Sequence, residues 1–387
     1  MTTLDSIAEK YRLTFQERRI VEEAATDLKM WGEKSLEEWW RSQSGSKDEI
    51  LKALRKQIHL LQTDKKYSDR TMSPPEREPL RQEQKQSDKK IAGLCPVASE
   101  ETVCCNLRTI DVAENCGFGC SYCTIQTFYG DKVVFDAELG KKLKAIPLDP
   151  TRLYHYGIGQ SSDSLMWGNR FGIFDDLCGW AAENPNVLLE FKTKSNNVGY
   201  FLENEIPKNV VLSWSLNTPT IIQNEEHFTA RLEQRLEAAR KAADRGIKVA
   251  FHFHPMVYYE GWSQDYKAVT EQLLKEFQPA EVAFVSIGTL TYIKPVLKAI
   301  RQRGGETKIL QMPMVKAAKH KWSYPNEVKI EMFRHLYSSL ESWQSKTFFY
   351  ICMEKAEIWN AVFGFAYPTN EEFEKSLLAN ALPNGVS

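Results

Sequence analysis

The sequence predicts an α/β fold: parallel strands alternating with helices, closed into a barrel or opened into a doubly wound sheet. Two observations carry this expectation. From about residue 106, short runs rich in Val, Ile, Leu, Phe and Tyr alternate with amphipathic stretches of helical period over roughly 180 residues, the signature of strand–helix–strand units. Within several of those runs apolar and polar residues also alternate, so each strand has one apolar and one polar face.

The elements follow in chain order. Residues 1–62 read as a helical N-terminal segment, because "FQERRIVEEAATDLKMWGE", "SLEEWWRS" and "KDEILKALRKQIHLL" repeat apolar residues at helical spacing. Ser35 and Ser46 stand where N-caps belong. Residues 63–92 are charged, contain proline and hold almost no large apolar side chain, the composition of a polar, flexible linker. The barrel region is assigned to 93–313, and 314–387 to a mainly helical extension packing on it. Candidate strands are "RTIDVAE", "LYHYGIG", "VLLEFKTKS", "VVLSWSLN", "KVAFHFH" and "VAFVSIGTL", with "KILQMP" (308–313) as one more short strand. The clearest helix, "FTARLEQRLEAARKAADRG", ends at Gly246, a C-cap.

The alternation favours a barrel. Leu189 and Phe191 oppose Glu190, Lys192 and Lys194; Leu212 and Trp214 oppose Ser213, Ser215 and Asn217; Phe251 and Phe253 oppose His252 and His254. Strands of a doubly wound sheet are apolar on both faces. A barrel with a ligand-filled interior shows this pattern, and its active site lies at the C-terminal ends of the strands. An antiparallel sheet with one wet face would alternate too, but the intervening helices count against it.

Composition narrows the classes. A net charge of −1 argues against a strongly basic nucleic-acid binder while leaving room for a local basic groove. No apolar run approaches the ~18 residues of a membrane span, and the first residues lack the apolar core of a secretory signal. The eight cysteines are clustered rather than spread as a disulfide framework, which fits metal binding in a reducing cytoplasm.

Three of them, Cys116, Cys120 and Cys123, share the loop "ENCGFGCSYCTIQTFYG" (114–130) after the first strand. Structural zinc wants a fourth ligand, and the candidate histidines, His155, His252 and His254, are distant in sequence. An iron–sulfur cubane held by three thiolates keeps one iron open, as catalysis requires. The Cys-x3-Cys-x2-Cys spacing, with Tyr122 before the third cysteine, resembles the signature of radical S-adenosylmethionine (SAM) enzymes. That resemblance implies a partial (β/α)6 barrel and a [4Fe-4S] cluster on Cys116, Cys120 and Cys123, with SAM chelated at the open iron. It further implies cleavage to a 5′-deoxyadenosyl radical that abstracts hydrogen, with Tyr122 near the adenine.

Over roughly residues 104–300 the sequence resembles the spore photoproduct lyase family. Thr193-Lys194 in "FKTKSN" matches the family's Thr-Lys, whose lysine meets the SAM carboxylate; Ser215 and Asn217 in "SWSLN" match its Ser-x-Asn, another SAM contact; "HPMVYYEGW" from His254 to Trp262 matches a further motif. The loop "GIGQSSDSLMWGN", with Gly159, Gln160 and Ser161, is implied to approach the cofactor's amino group. Its Ser161, Ser162 and Asp163 equally suit the start of a following helix. His254 faces cofactor or substrate, or is a core histidine. The resemblance also implies a reducing partner such as flavodoxin or ferredoxin and a DNA lesion as substrate, with no membrane. Two positions depart from the family. Thr124 stands where those lyases carry a tyrosine, and Gln160 or Ser161 where they carry a hydrogen-donor cysteine. Cys352, in the C-terminal part, is a candidate donor in its place, or a small buried apolar residue. Cys95, Cys104 and Cys105 form a set too irregular to assign, and Cys178 reads as core. The expected function is therefore that of a spore photoproduct lyase-like radical SAM enzyme. A non-nucleic-acid substrate, or a zinc-stabilised binding module, is the alternative.

Overall fold

Eight strands form one sheet whose spatial order is their chain order. The structure, a computed structural model, describes residues 3–67, 71–74, 76, 79–95 and 99–383. The strands are β1 (Ala92–Leu94), β2 (Arg108–Ile110), β3 (Tyr154–Ile158), β4 (Val187–Thr193), β5 (Val210–Ser215), β6 (Lys248–Met256), β7 (Val282–Thr289) and β8 (Phe348–Ile351). Pairing is parallel from β2 to β8, and β1 is antiparallel to β2. The six strands expected from the sequence are all present. A seventh parallel strand, β8, comes from "FFYI", inside the region expected to be mainly helical. "KILQMP" is a turn instead of a strand, because its first backbone N–H binds the Glu225 carboxylate at 2.9 Å and takes no part in the sheet.

Helices α1 (Thr3–Lys10), α2 (Phe15–Met30), α3 (Leu36–Arg41) and α4 (Lys47–Asp64) precede the sheet and share a core that includes Val21, Leu28, Trp40 and Leu54. Ser35 and Ser46 cap α3 and α4, each in a reciprocal box with the glutamate three residues on. This bundle meets the sheet domain through Arg301–Asp27 (2.8 Å), Lys308–Glu33 (2.8 Å) and the Thr307 N–H on the Met30 carbonyl. The polar stretch 63–92 contributes more than a tether. Tyr67 reaches Glu225, Met72 is buried, and Arg81–Lys85 pairs in parallel with Lys132–Asp136. The expectation of flexibility at 68–70, 75 and 77–78 lies outside the described residues.

The sheet is curled, and a buried polar cluster shows how far. Glu190 on β4 bonds His155 on β3 (2.8 Å), Ser213 on β5 (2.5 Å) and His252 on β6 (2.5 Å), and His252 bonds Ser286 on β7 (2.5 Å). In a flat sheet β4 and β6 would stand about 9.6 Å apart, twice the ~4.8 Å strand spacing. A concave face brings those tips readily into hydrogen-bond range. The C-terminal helix α14 (Asn370–Ala381) packs against both β3 and β7 and so lies across the opening of the curl; α5 to α13 lie between α4 and it. The polar faces expected from alternation are thus the inside of a half-barrel.

Burial works against the Glu190 charge, but His252 and His155 outweigh it and hold its carboxyl well below the usual range. Burial, helped by Lys192, pushes His252 down to about 4, so it is neutral. Its Nε2–H then donates to Glu190 while Nδ1 accepts from Ser286. Removing the carboxylate should cost about 3 kcal/mol, read as a lowered urea midpoint for Glu190→Ala at pH 7. Stability supplied by neutral His252 is complete above its unfolded pKa of ~6.5 and is lost as pH falls toward 4. A urea midpoint that stays level from pH 7 to 4 would contradict this.

Candidate active site

The three-cysteine loop leaves β2 and lies where the parallel strands end. Its backbone is fixed from several directions. Asn115 donates to the Gly130 and Lys132 carbonyls (2.9 and 3.0 Å), Gln126 donates to the Phe118 carbonyl (2.9 Å), and Gly119–Cys120 pairs antiparallel with Glu226–His227. Arg303 donates to the Ser121 and Cys123 carbonyls, each at 3.1 Å. Gly119 packs closely here: a Cβ would sit 3.0 Å from the Phe228 ring and 3.3 Å from the His227 Cβ.

Two adjacent buried carboxylates hold the loop. Glu225 binds the Ser121 hydroxyl, and also accepts from Tyr67 (2.7 Å), Thr307 (2.7 Å) and the Lys308 N–H (2.9 Å). Glu226 accepts the Tyr122 hydroxyl and pairs with Arg235 at 2.6 Å, both side chains fully buried. Arg235 donates onward to the Ser215 carbonyl at 2.8 Å, which ties the end of β5 to the same pair.

Cys116 and Cys120 are buried and Cys123 is half-buried, and none is in a disulfide. Burial, then Asp163, pushes the Cys116 thiol up to about 12. Burial also raises Cys120, with Lys194 acting in the opposite sense. The Lys194 ammonium lies 5.7 Å from the centre of the Tyr122 ring. Burial opposes its charge, but Glu226 and Cys120 overcome this and raise its pKa, so a cation is fixed beside the thiols. The Met166 sulfur lies 3.8 Å from the Cys116 sulfur and 3.2 Å from the Gly117 nitrogen; a Cβ on Gly117 would fall 2.2 Å from the Met166 methyl. Among the described residues no three His, Cys, Asp or Glu side chains close round a point as one metal ion requires. Three thiols on one pinned loop with a buried cation beside them fit a polynuclear cluster, whose thiolates sit on separate irons.

Other predicted residues fall nearby in differing roles. Asn217 fills all four of its hydrogen-bonding capacities, donating to Pro255 (3.0 Å) and Glu226 (3.3 Å) and accepting from Thr218 N–H (3.1 Å) and Tyr266 (2.7 Å). Ser215 is buried at the end of β5. His254 is half-buried with its ring against Gly288, where a Cβ would be 3.0 Å away, and burial beside Lys192 pushes its pKa far down. The helix expected to start at Ser161–Asp163 begins only at Ile173. The Asp163 carboxylate instead accepts from Thr193 (2.7 Å), the Lys194 N–H (2.7 Å) and the N–H groups of Leu165 and Met166 (both 3.0 Å). It therefore clamps the Thr-Lys dipeptide. Gly159 has φ +104°, and a Cβ there would meet Ser164 Oγ at 2.8 Å and the Lys192 carbonyl at 2.9 Å. Its close approach is to the protein's own β4 end. Gln160, Ser161 and Thr124 line one cavity of about 500 Å³ together with Asp111, which takes the Ser161 hydroxyl at 2.7 Å. Cys352 stands just past β8; burial pushes its thiol up to about 12. Cys178 is core, as expected.

Sequence reasoning missed Glu225, Glu226 and Arg235, and it read Asp163 as suited to a helix start. Consecutive glutamates ahead of a charged helix look like solvated polarity, and only their depth in the fold gives them a role.

A curled parallel sheet carrying a three-thiol loop after its first parallel strand defines the radical SAM class. Within it, the chain belongs to the spore photoproduct lyase family, whose model matches residues 105–351. Its relatives include the spore photoproduct lyases of Clostridium acetobutylicum, 27% identical over 43% of this chain and 50% of that protein, and of Bacillus subtilis, 29% identical over 52% and 61%. The chain thus spans half to three fifths of the length of these relatives. Two solved spore photoproduct lyase structures share the fold. One, with bound AdoMet and dinucleoside spore photoproduct, has a TM-score of 0.58 at 19% identity over 70% of this chain and 81% of that one. The other, complexed with dinucleoside spore photoproduct, has a TM-score of 0.55 at 20% identity over 62% and 75%.

Cutting the buried pair should unfasten the loop. Glu226→Ala leaves Arg235 charged and enclosed and should cost about 3–5 kcal/mol in urea unfolding, whereas Tyr122→Phe, losing one charge-assisted hydrogen bond, should cost about 2 kcal/mol.

Proposed function

We propose that the chain is a radical SAM enzyme that starts its reaction by hydrogen-atom abstraction and takes a nucleic-acid lesion as substrate. The observation that carries this reading is the pinned three-thiol loop with the Lys194 cation fixed against it. Cys116, Cys120 and Cys123 would hold a [4Fe-4S] cluster, and Lys194 would meet the cofactor's carboxylate. With SAM at its open iron, such a cluster supplies one-electron cleavage to a 5′-deoxyadenosyl radical.

The chain's own groups do the remaining work. Asp163 aims Thr193-Lys194 at the loop through the hydroxyl and the N–H. Tyr122 keeps its ring in place because its hydroxyl is tied to Glu226 and its carbonyl accepts from Tyr292 at 3.2 Å. The cavity bounded by Thr124, Gln160 and Ser161 is the substrate space; Lys90 and Lys321 on its wall suit an anionic group, and Phe128, Tyr129 and Tyr292 suit a flat one. No thiol lines it. Hydroxyls and an amide occupy the wall instead, so the fate of a substrate radical differs here from that in a lyase with a donor cysteine there. DNA repair by a donor-dependent route is therefore not assigned, and the lesion class rests on family membership.

The test is anaerobic reconstitution followed by measurement of SAM cleavage with and without an oligonucleotide carrying a thymine photolesion. Cleavage should rise at least tenfold with the lesion and yield a modified base. Cleavage indifferent to the oligonucleotide would move the substrate outside nucleic acids. Cys120→Ala should abolish cleavage with the circular dichroism unchanged; surviving activity would remove the cluster assignment.

A further inference from the structure

Four of the five remaining cysteines, drawn from three separated stretches of chain, come together between the start of β2 and the end of β8. Cys95 follows β1 and donates its N–H to the Leu107 carbonyl at 2.9 Å. Val103 forms an isolated antiparallel bridge with Glu354, its N–H on that carbonyl at 3.0 Å, which lays residues 103–105 beside the segment leaving β8. Cys352, the first residue of that segment, donates its N–H to the Ile287 carbonyl at 2.8 Å. The Cys104 N–H is held by Asn370 of α14 at 2.8 Å. The Cys104 and Cys105 side chains lie next to each other, and Cys352 lies within electrostatic reach of Cys95, Cys104 and Cys105. Two lysines, Lys192 from β4 and Lys321, complete the group.

A packing role does not account for this set. Only Cys105 is buried; Cys95, Cys104 and Cys352 are half-buried, and none of the four is oxidised to a disulfide. Sulfurs that merely fill space sit in apolar surroundings, whereas these share theirs with the side chains of Lys192 and Lys321. Among the described residues no three of the side chains converge on a single point; four thiols is nonetheless the ligand number of a polynuclear iron–sulfur centre.

We infer that Cys95, Cys104, Cys105 and Cys352 are the four ligands of a second iron–sulfur centre. Four cysteines complete the coordination of such a cluster. It keeps no open iron and so handles electrons without chelating a cofactor, the complement of the three-cysteine loop. Leu94 and Met353, the immediate neighbours of Cys95 and Cys352, line the 500 Å³ cavity with Thr124 and Gln160, so the two centres would flank one substrate space. The assignment also excludes Cys352 as hydrogen donor, because a ligated thiolate has no S–H to give.

The full-length chain with Cys116, Cys120 and Cys123 all changed to alanine isolates the second site. After anaerobic reconstitution with iron and sulfide, it should retain the two in equal amounts, about two to four of each per chain, with visible absorption bleached by dithionite. No retained iron, or zinc alone, would overturn the assignment. If that variant does not fold, Cys104→Ser with Cys352→Ser in the otherwise intact chain should lower iron and sulfide by the second centre's share, leaving about four of each and SAM cleavage still measurable. Unchanged iron content there would equally overturn it, whatever the outcome for the first loop.

Discussion

Glu225 and Glu226 are the constraint from which the site is built. They are consecutive, fully buried, and turned in opposite directions. Glu225 gathers Tyr67, Ser121, Thr307 and Lys308, which come from the chain before the sheet, the cysteine loop and the stretch after β7. Glu226 gathers Tyr122, Arg235 and Asn217 and faces Lys194. A buried carboxyl group left without hydrogen-bond partners, charged or not, is costly, so every one of these segments must arrive for either side chain to be tolerated. The loop's geometry is in this way made a condition of folding.

The inside of the half-barrel is layered. The deeper layer is the closed network of His155, Glu190, Ser213, His252 and Ser286, which leaves little capacity to bind anything else. Above it, toward the strand ends, Lys192, Lys194 and His254 crowd together, and burial lowers both Lys192 and His254. Lysines that close repel one another unless anions lie among them, and Glu226 and Asp163 are the carboxylates that face Lys194.

The sheet was legible in the sequence because strand–helix alternation and two-sided strands are properties of local order. The cysteine loop was legible because its ligands are close along the chain. What was hidden depends on distance. The partners of Glu225 lie 82 to 158 residues away, and no spacing rule reaches so far. Phe348–Ile351 reads as helix-compatible until the open edge of β7 offers it a parallel partner. Lys308 could have extended "KILQMP" as a strand, but its N–H is committed to Glu225. Asp163 looked like a helix cap because caps and clamps use the same carboxylate; here four donors from the β3 and β4 loops reach it first.

The strands of the sheet stand in space in the order in which they occur in the chain. Each new strand can therefore pair with the one made just before it, so the curl grows from its N-terminal edge without waiting for distant segments. The cysteine loop follows a different timetable. It emerges early, after β2, yet its fixings at Glu226, Arg303 and Thr307 are synthesised more than a hundred residues later. On the ribosome the three thiols emerge well before these fixings, and their pocket closes only after Arg303 and Thr307 have been made. A metal centre loaded into the closed pocket would therefore follow the building of the scaffold around it.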